Sequence, residues 1–151
     1  MRSFPDDRRH GVSQMLNPEL AAALMALAEA AAERAYAPYS NFPVGAAILA
    51  ASGAIYDGAN IENASYPLTI CAERTAASAA AFAGEREFVA VAVATPSAPG
   101  STPCGACRQF LNEFKAADGG FVVLLQGSGQ PVQVPFDDLL PRAFGPRDLG
   151  K

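Results

Sequence analysis

Leu20, Leu24 and Leu27 recur at helical spacing inside an alanine-rich run that reaches about Tyr36. Asn17-Pro18-Glu19 in front of it provides a capping side chain and a proline suited to a first helical turn, and Pro38 closes it. The pattern then changes to short apolar stretches. "PVGAAILA" (43–50) predicts a strand, Ser52-Gly53 a turn, and "AIYDGA" (54–59) its hairpin partner. "NIENASYPLTI" (60–70) has no clear period and is expected to be a loop. A second helix is predicted from about Cys71 to Ala83, stopped by Gly84. "FVAVAVA" (88–94) is apolar and rich in valine, as a buried strand would be. A loop over 95–103 leads to a third helix from about Cys104 to Phe114. Asp118-Gly119-Gly120 breaks the pattern before a second buried strand, "FVVLLQ" (121–126). "GSGQP" then turns into "VQV", and residues 136–140 can form one short helix.

The predicted order is α-β-β-α-β-α-β, with a short fifth strand possible. Buried strands separated by helices require crossovers and at least partly parallel pairing. The fold class is therefore α/β, a three-layer domain with helices on both faces of one sheet. Residues 1–16 are polar and mixed in charge and are expected to form a flexible N-terminal tail. Residues 17–151 form one domain, with no internal repeat and no linker to divide them.

Charge and cysteine usage narrow the function. The net charge of −4 argues against a nucleic-acid-binding surface, which needs clustered Lys and Arg. No apolar run is long enough to span a bilayer, and the first residues lack the apolar core of a signal peptide. A cytoplasmic location is expected. Three cysteines cannot make a closed disulfide framework, and reduced cysteines in such a compartment more often bind metal or do chemistry.

Those three are Cys71, followed at two positions by Glu73, and Cys104 and Cys107 in "PCGAC". All three fall at predicted helix starts, where free N–H groups favour thiolates. C-x-x-C alone is also the spacing of a thiol redox pair, and a single cysteine is often just a small core residue. A closed structural zinc site takes four Cys or His ligands. The only histidine here is His10, in the tail. Three cysteines would leave the fourth position to water, which is the catalytic pattern, and would leave Glu73 free to handle protons.

C-x-E followed by P-C-x-x-C matches the zinc-deaminase pattern. With "YAPYSNFPVGAAIL" (36–49), "NIENASYPLTICAERTA" (60–76) and "PCGACRQFLNEF" (103–114), the chain resembles the small, homotetrameric, all-cysteine cytidine deaminases over roughly residues 17–149. That resemblance implies an α/β/α sandwich around a mixed five-stranded sheet. It implies one zinc per chain on Cys71, Cys104 and Cys107, and hydrolytic deamination of cytidine and 2′-deoxycytidine in pyrimidine salvage. Glu73 would take a proton from water, deliver it to N3 of cytosine, and then carry one to the departing amine. Arg74 would offset the excess negative charge of three thiolates, and Gln109 would support the ligands from outside. Asn60 and Glu62 would grip the sugar hydroxyls, Phe42 would stack on the pyrimidine, and Ala72 would also contact substrate. Tyr66 would lie near the 5′ end of the sugar. Phe144 would be placed over the site by a neighbouring subunit.

Other readings fit less of the chain. A deaminase of a nucleoside antibiotic such as blasticidin S shares the zinc motif but would not need the pair in "NIENASY". A polynucleotide deaminase would need a basic and aromatic strand-binding surface. A non-catalytic zinc module gives no role to Glu73, and a redox protein gives none to Cys71.

Overall fold

The computed structural model describes residues 15–118 and 120–151. The expected tail therefore lies outside the described residues, except for Met15 and Leu16. The Leu16 backbone is held at both ends by the Gln133 side chain, at 2.8 and 2.9 Å.

Helix α1 (Pro18–Ala32) starts as the sequence predicts: the Asn17 side chain accepts the Leu20 N–H, and proline occupies the first turn. Strands β1 (Gly45–Ala50) and β2 (Ile55–Ala59) form the predicted hairpin. Helix α2 (Ala72–Phe82), strand β3 (Phe88–Ala94), helix α3 (Gly105–Asn112), strand β4 (Val122–Leu125), strand β5 (Val132–Pro135) and a short helix α4 (Phe136–Leu139) follow. Gly84 ends α2 with φ of 103°, so that its N–H reaches the Ala81 carbonyl and the Glu85 N–H reaches Ala80. A side chain there would be strained. A closing 3₁₀ turn at Pro146–Leu149 was not expected.

The five strands lie in the order β2-β1-β3-β4-β5. β3 and β4 pair in parallel and the other neighbours are antiparallel, so the sheet is mixed. Alternate strand residues divide between two cores. Ala46, Ile48, Val91, Val93, Val123 and Leu125 face α2 and α3. Ala47, Leu49, Ala90, Ala92, Val122 and Leu124 face α1. This is the expected three-layer sandwich.

Two helices end earlier than their sequence pattern. α1 was expected to reach Tyr36 but stops at Ala32. The Tyr36 backbone is taken by the 60–62 segment: its N–H donates to the Asn60 carbonyl, and its carbonyl accepts from the Glu62 N–H. α3 stops at Asn112 because the Phe114 carbonyl accepts the Phe88 N–H at the start of β3. In both places a backbone needed for pairing cannot remain helical.

Alanines in β1 and β3 let α1 approach the sheet closely, and Gly45 marks the tightest point. A Cβ there would fall well inside contact distance of the Ala28 carbonyl oxygen and the Ala32 nitrogen, both backbone atoms. Gly45→Ala is therefore expected to destabilise the fold by about 3 kcal/mol, read as a lower midpoint in denaturant with an unchanged slope.

Candidate active site

β2 and β3 both run antiparallel to β1, so they point the same way. Their following loops leave the sheet at one edge, and each leads into a helix whose first residue is preceded by a cysteine. This topology brings Cys71 and Cys104 together, at the carboxyl ends of strands where α/β folds place their ligands.

Cys71 and Cys104 occupy the capping positions of α2 and α3, yet neither side chain makes a capping bond. Ser or Asp would spend its oxygen on the helix N–H groups there; these sulfurs remain available. Cys107 lies in the first turn of α3 and is buried. The three Sγ atoms lie within 4.8 Å of one another, and Cys71 and Cys104 are 3.9 Å apart. All three thiols are free. The Cys71 thiol is drawn down to about 5 by its hydrogen bond with Cys107 and by Arg74, while the same contact and burial push Cys107 up. No fourth Cys, His, Asp or Glu joins this cluster among the described residues. Three soft donors with one open side fit zinc in a catalytic coordination.

Arg74 Nη2 donates to the Thr69 carbonyl at 3.1 Å and lies 3.9 Å from Cys71 Sγ. Its Nε is buried and has no partner. Arg108, which the sequence reading passed over, clamps the segment leading into Cys104. Its guanidinium donates to the Pro103 carbonyl, the Leu139 carbonyl and Thr102 Oγ1, at 2.7, 2.8 and 2.7 Å.

Glu73 is only 4% exposed. Burial holds its carboxyl above the usual carboxylate value. It lines a cavity of about 180 Å³ together with Phe42, Asn60, Ala72, Cys71 and Cys104. A second cavity of about 250 Å³ is lined by Tyr39, Ser40, Glu62, Tyr66 and Thr69. Thr69 lines both, so the two are neighbours. Of the expected site residues, Phe42, Asn60, Cys71, Ala72, Glu73 and Cys104 line the cavity beside the thiols, and Glu62 and Tyr66 line the one farther out.

Asn60 and Glu62 already hold the loop that carries Phe42. Asn60 Oδ1 accepts the Val44 N–H and its Nδ2 donates to the Phe42 carbonyl, both at 2.9 Å. Glu62 accepts from the Tyr39 N–H at 2.8 Å, from the Ser40 N–H and from the Ser40 hydroxyl. The Ser40 hydroxyl foremost, with the Tyr39 and Ser40 amides, keeps the Glu62 carboxyl below its ordinary value despite burial.

Phe144 and Gln109 are not brought to either cavity. The Phe144 ring is exposed, and its carbonyl accepts from Gln109 Nε2 at 3.1 Å and Asn112 Nδ2 at 3.0 Å. Gln109 therefore supports the C-terminal segment within this chain, and no hydrogen bond joins it to a cysteine. Ser40, Tyr39 and Thr69 were missed. The turn residues Ser40-Asn41 ahead of Phe42 were the available signal.

Comparison with known proteins agrees with this geometry. Residues 18–123 match the family model described as the cytidine and deoxycytidylate deaminase zinc-binding region. The chain is 47% identical over 127 residues to a cytidine deaminase of Sporosarcina psychrophila, covering 83% of this chain and 92% of the relative. It is 42% identical over 119 residues to one from Mycobacterium tuberculosis, covering 79% and 85%. The crystal structure of cytidine deaminase from Burkholderia pseudomallei superposes with a TM-score of 0.74 at 46% identity, covering 82% of this chain and 98% of that one.

Proposed function

The chain belongs to the zinc-binding cytidine deaminase family, and on that premise we propose how its residues carry out the zinc-dependent deamination of cytidine to uridine and ammonia. Cys71, Cys104 and Cys107 hold the zinc. When bound, the metal acts as a Lewis acid that brings the pKa of a water toward neutrality. The observation that carries the reading is the buried Glu73 carboxyl in the same cavity as two of these thiols.

The pyrimidine occupies the 180 Å³ cavity against the face of Phe42, with Ala72 beside it. Glu73 takes a proton from the attacking water and places it on N3 of the ring. With the water oxygen bonded to C4, Glu73 takes the remaining proton of the new C4 hydroxyl and transfers it to the exocyclic nitrogen, so that the C4–N bond breaks, ammonia leaves and the C4 carbonyl of uridine forms. A single carboxyl can serve as base and then acid because burial raises its pKa toward the working range. Asn60 and Glu62 receive the sugar hydroxyls at the junction with the outer cavity, which Tyr66 also lines, near the 5′ end of the sugar. The outer cavity presents a carboxylate and no Lys or Arg, which suits a neutral nucleoside. 2′-Deoxycytidine is accepted by the same groups.

The working form is a homotetramer in which Phe144 closes a neighbouring subunit's site. Phe144 is 61% exposed while its carbonyl is fixed by two side-chain amides, and Tyr36, Ile61, Leu68 and Ile70 are also exposed. Three free thiols suit a reducing compartment, and the reaction belongs in the cytoplasm. Among the described residues no helix is long and apolar enough to cross a membrane. Residues 17–151 act as one deaminase domain.

Incubating the zinc-loaded protein with cytidine tests this reading. Uridine and ammonia should appear in equal amounts, and Phe144→Ala should lower activity while leaving the zinc in place. Cytidine left intact by zinc-loaded protein would rule the substrate out.

A further inference from the structure

Ser40 lines the outer cavity, two residues before Phe42 of the inner one, and its hydroxyl does two things at once. It donates to Glu62 Oε1, and its oxygen accepts the Phe42 N–H at 3.0 Å. The Ser40 backbone N–H also donates to Glu62 Oε2, at 3.2 Å. Between Ser40 and Phe42, Asn41 sits in the left-handed region with φ of 54°, which asparagine tolerates better than most residues. This tight turn lets Ser40 face the outer cavity while Phe42 faces the inner one. A continuous chain of hydrogen bonds therefore runs from the Phe42 backbone through the Ser40 hydroxyl to the Glu62 carboxylate.

We propose that Ser40 is a positioning residue for nucleoside recognition, its hydroxyl setting the Glu62 carboxylate and the Phe42 backbone in one fixed relation. This rests on reading the outer cavity as the sugar site and the inner one as the base site. Asn60 does not make this link: its amide holds the Phe42 and Val44 backbone, one bond at each end, and neither bond reaches Glu62. The Tyr39 N–H holds one Glu62 oxygen but makes no link to Phe42. Without the Ser40 hydroxyl, Glu62 loses a donor on the oxygen nearest the turn, and the Phe42 N–H loses its acceptor. The sugar hydroxyls then meet a carboxylate held only by the Tyr39 and Ser40 amides, and the Phe42 backbone is no longer tied to it. Binding should suffer far more than proton transfer, since Glu73 sits on a different element.

The test compares cytidine with 2′,3′-dideoxycytidine, which lacks the two sugar hydroxyls, using wild type, Ser40→Ala and Ser40→Thr. Zinc content and thermal midpoint are measured alongside. Ser40→Ala should raise KM for cytidine by about tenfold, the scale of a lost hydrogen bond to a charged group, with kcat changed by less than about threefold. It should also shrink the KM penalty that wild type shows for the dideoxy substrate. Ser40→Thr keeps the hydroxyl and should restore both. If Ser40→Ala weakens both substrates equally, or Ser40→Thr is as impaired as Ser40→Ala, the hydroxyl has no positioning role and the proposal falls. The proposal also falls if Ser40→Ala behaves as wild type. If wild type itself does not distinguish the two substrates, the sugar-site reading falls first and takes the proposal with it.

Discussion

Glu73→Gln is expected to keep its zinc and lose kcat by about 10³-fold, within the range that general acid–base groups contribute. The substitution keeps the size of the side chain but removes its ability to accept a proton. Glu73 has no substitute nearby. Among the described residues the other acidic group close to the two cavities is Glu62, and its carboxylate is occupied by Ser40 and Tyr39 in the outer one. Zinc should survive because the ligand cluster consists of three sulfurs and does not include this carboxyl. Metal analysis and single-turnover uridine formation on the same preparation separate the two effects. Loss of both together would mean that Glu73 holds the site rather than moving protons.

Cys104→Ala is expected to abolish activity by a different route. Two thiols remain, one at the start of α2 and one in the first turn of α3, and nothing else in the described cluster can take the vacant place. Zinc affinity should fall by more than the roughly 100-fold that losing an outer hydrogen-bond partner can cost, measured by competition with a chelator. Because the ligands tie α2 to α3, the thermal midpoint should fall too. A Cys104→Ala protein that still carries a full complement of zinc would show that the metal sits elsewhere.

The strands were legible because their composition leaves little choice. A run such as Phe88–Ala94 can be buried only within a sheet covered on both sides, and it occupies those residues in the structure. The cysteine–glutamate pattern was legible because its residues are few and chemically committed. What stayed hidden depends on pairing between distant segments. The ends of α1 and α3 are set by where Asn60 and Phe88 need partners, and no local propensity carries that information. Ser40 was passed over for the same reason: a serine before an asparagine reads as a turn, and its link to Glu62 spans 22 residues. Gln109 was expected to support the ligands, but it is the carbonyl of Phe144 that it reaches, 35 residues away. Phe42, Asn60 and Glu73 line one cavity, and their motifs lie at or near the ends of predicted elements.

The central claim is that three cysteine thiolates hold one catalytic zinc beside Glu73. The most direct measurement is a zinc titration of metal-free, reduced protein, with uridine formation followed at each step. The account predicts activity that rises in proportion to bound zinc and levels off at about one ion per chain. Activity independent of added zinc, or zinc taken up fully with no uridine formed, would contradict it.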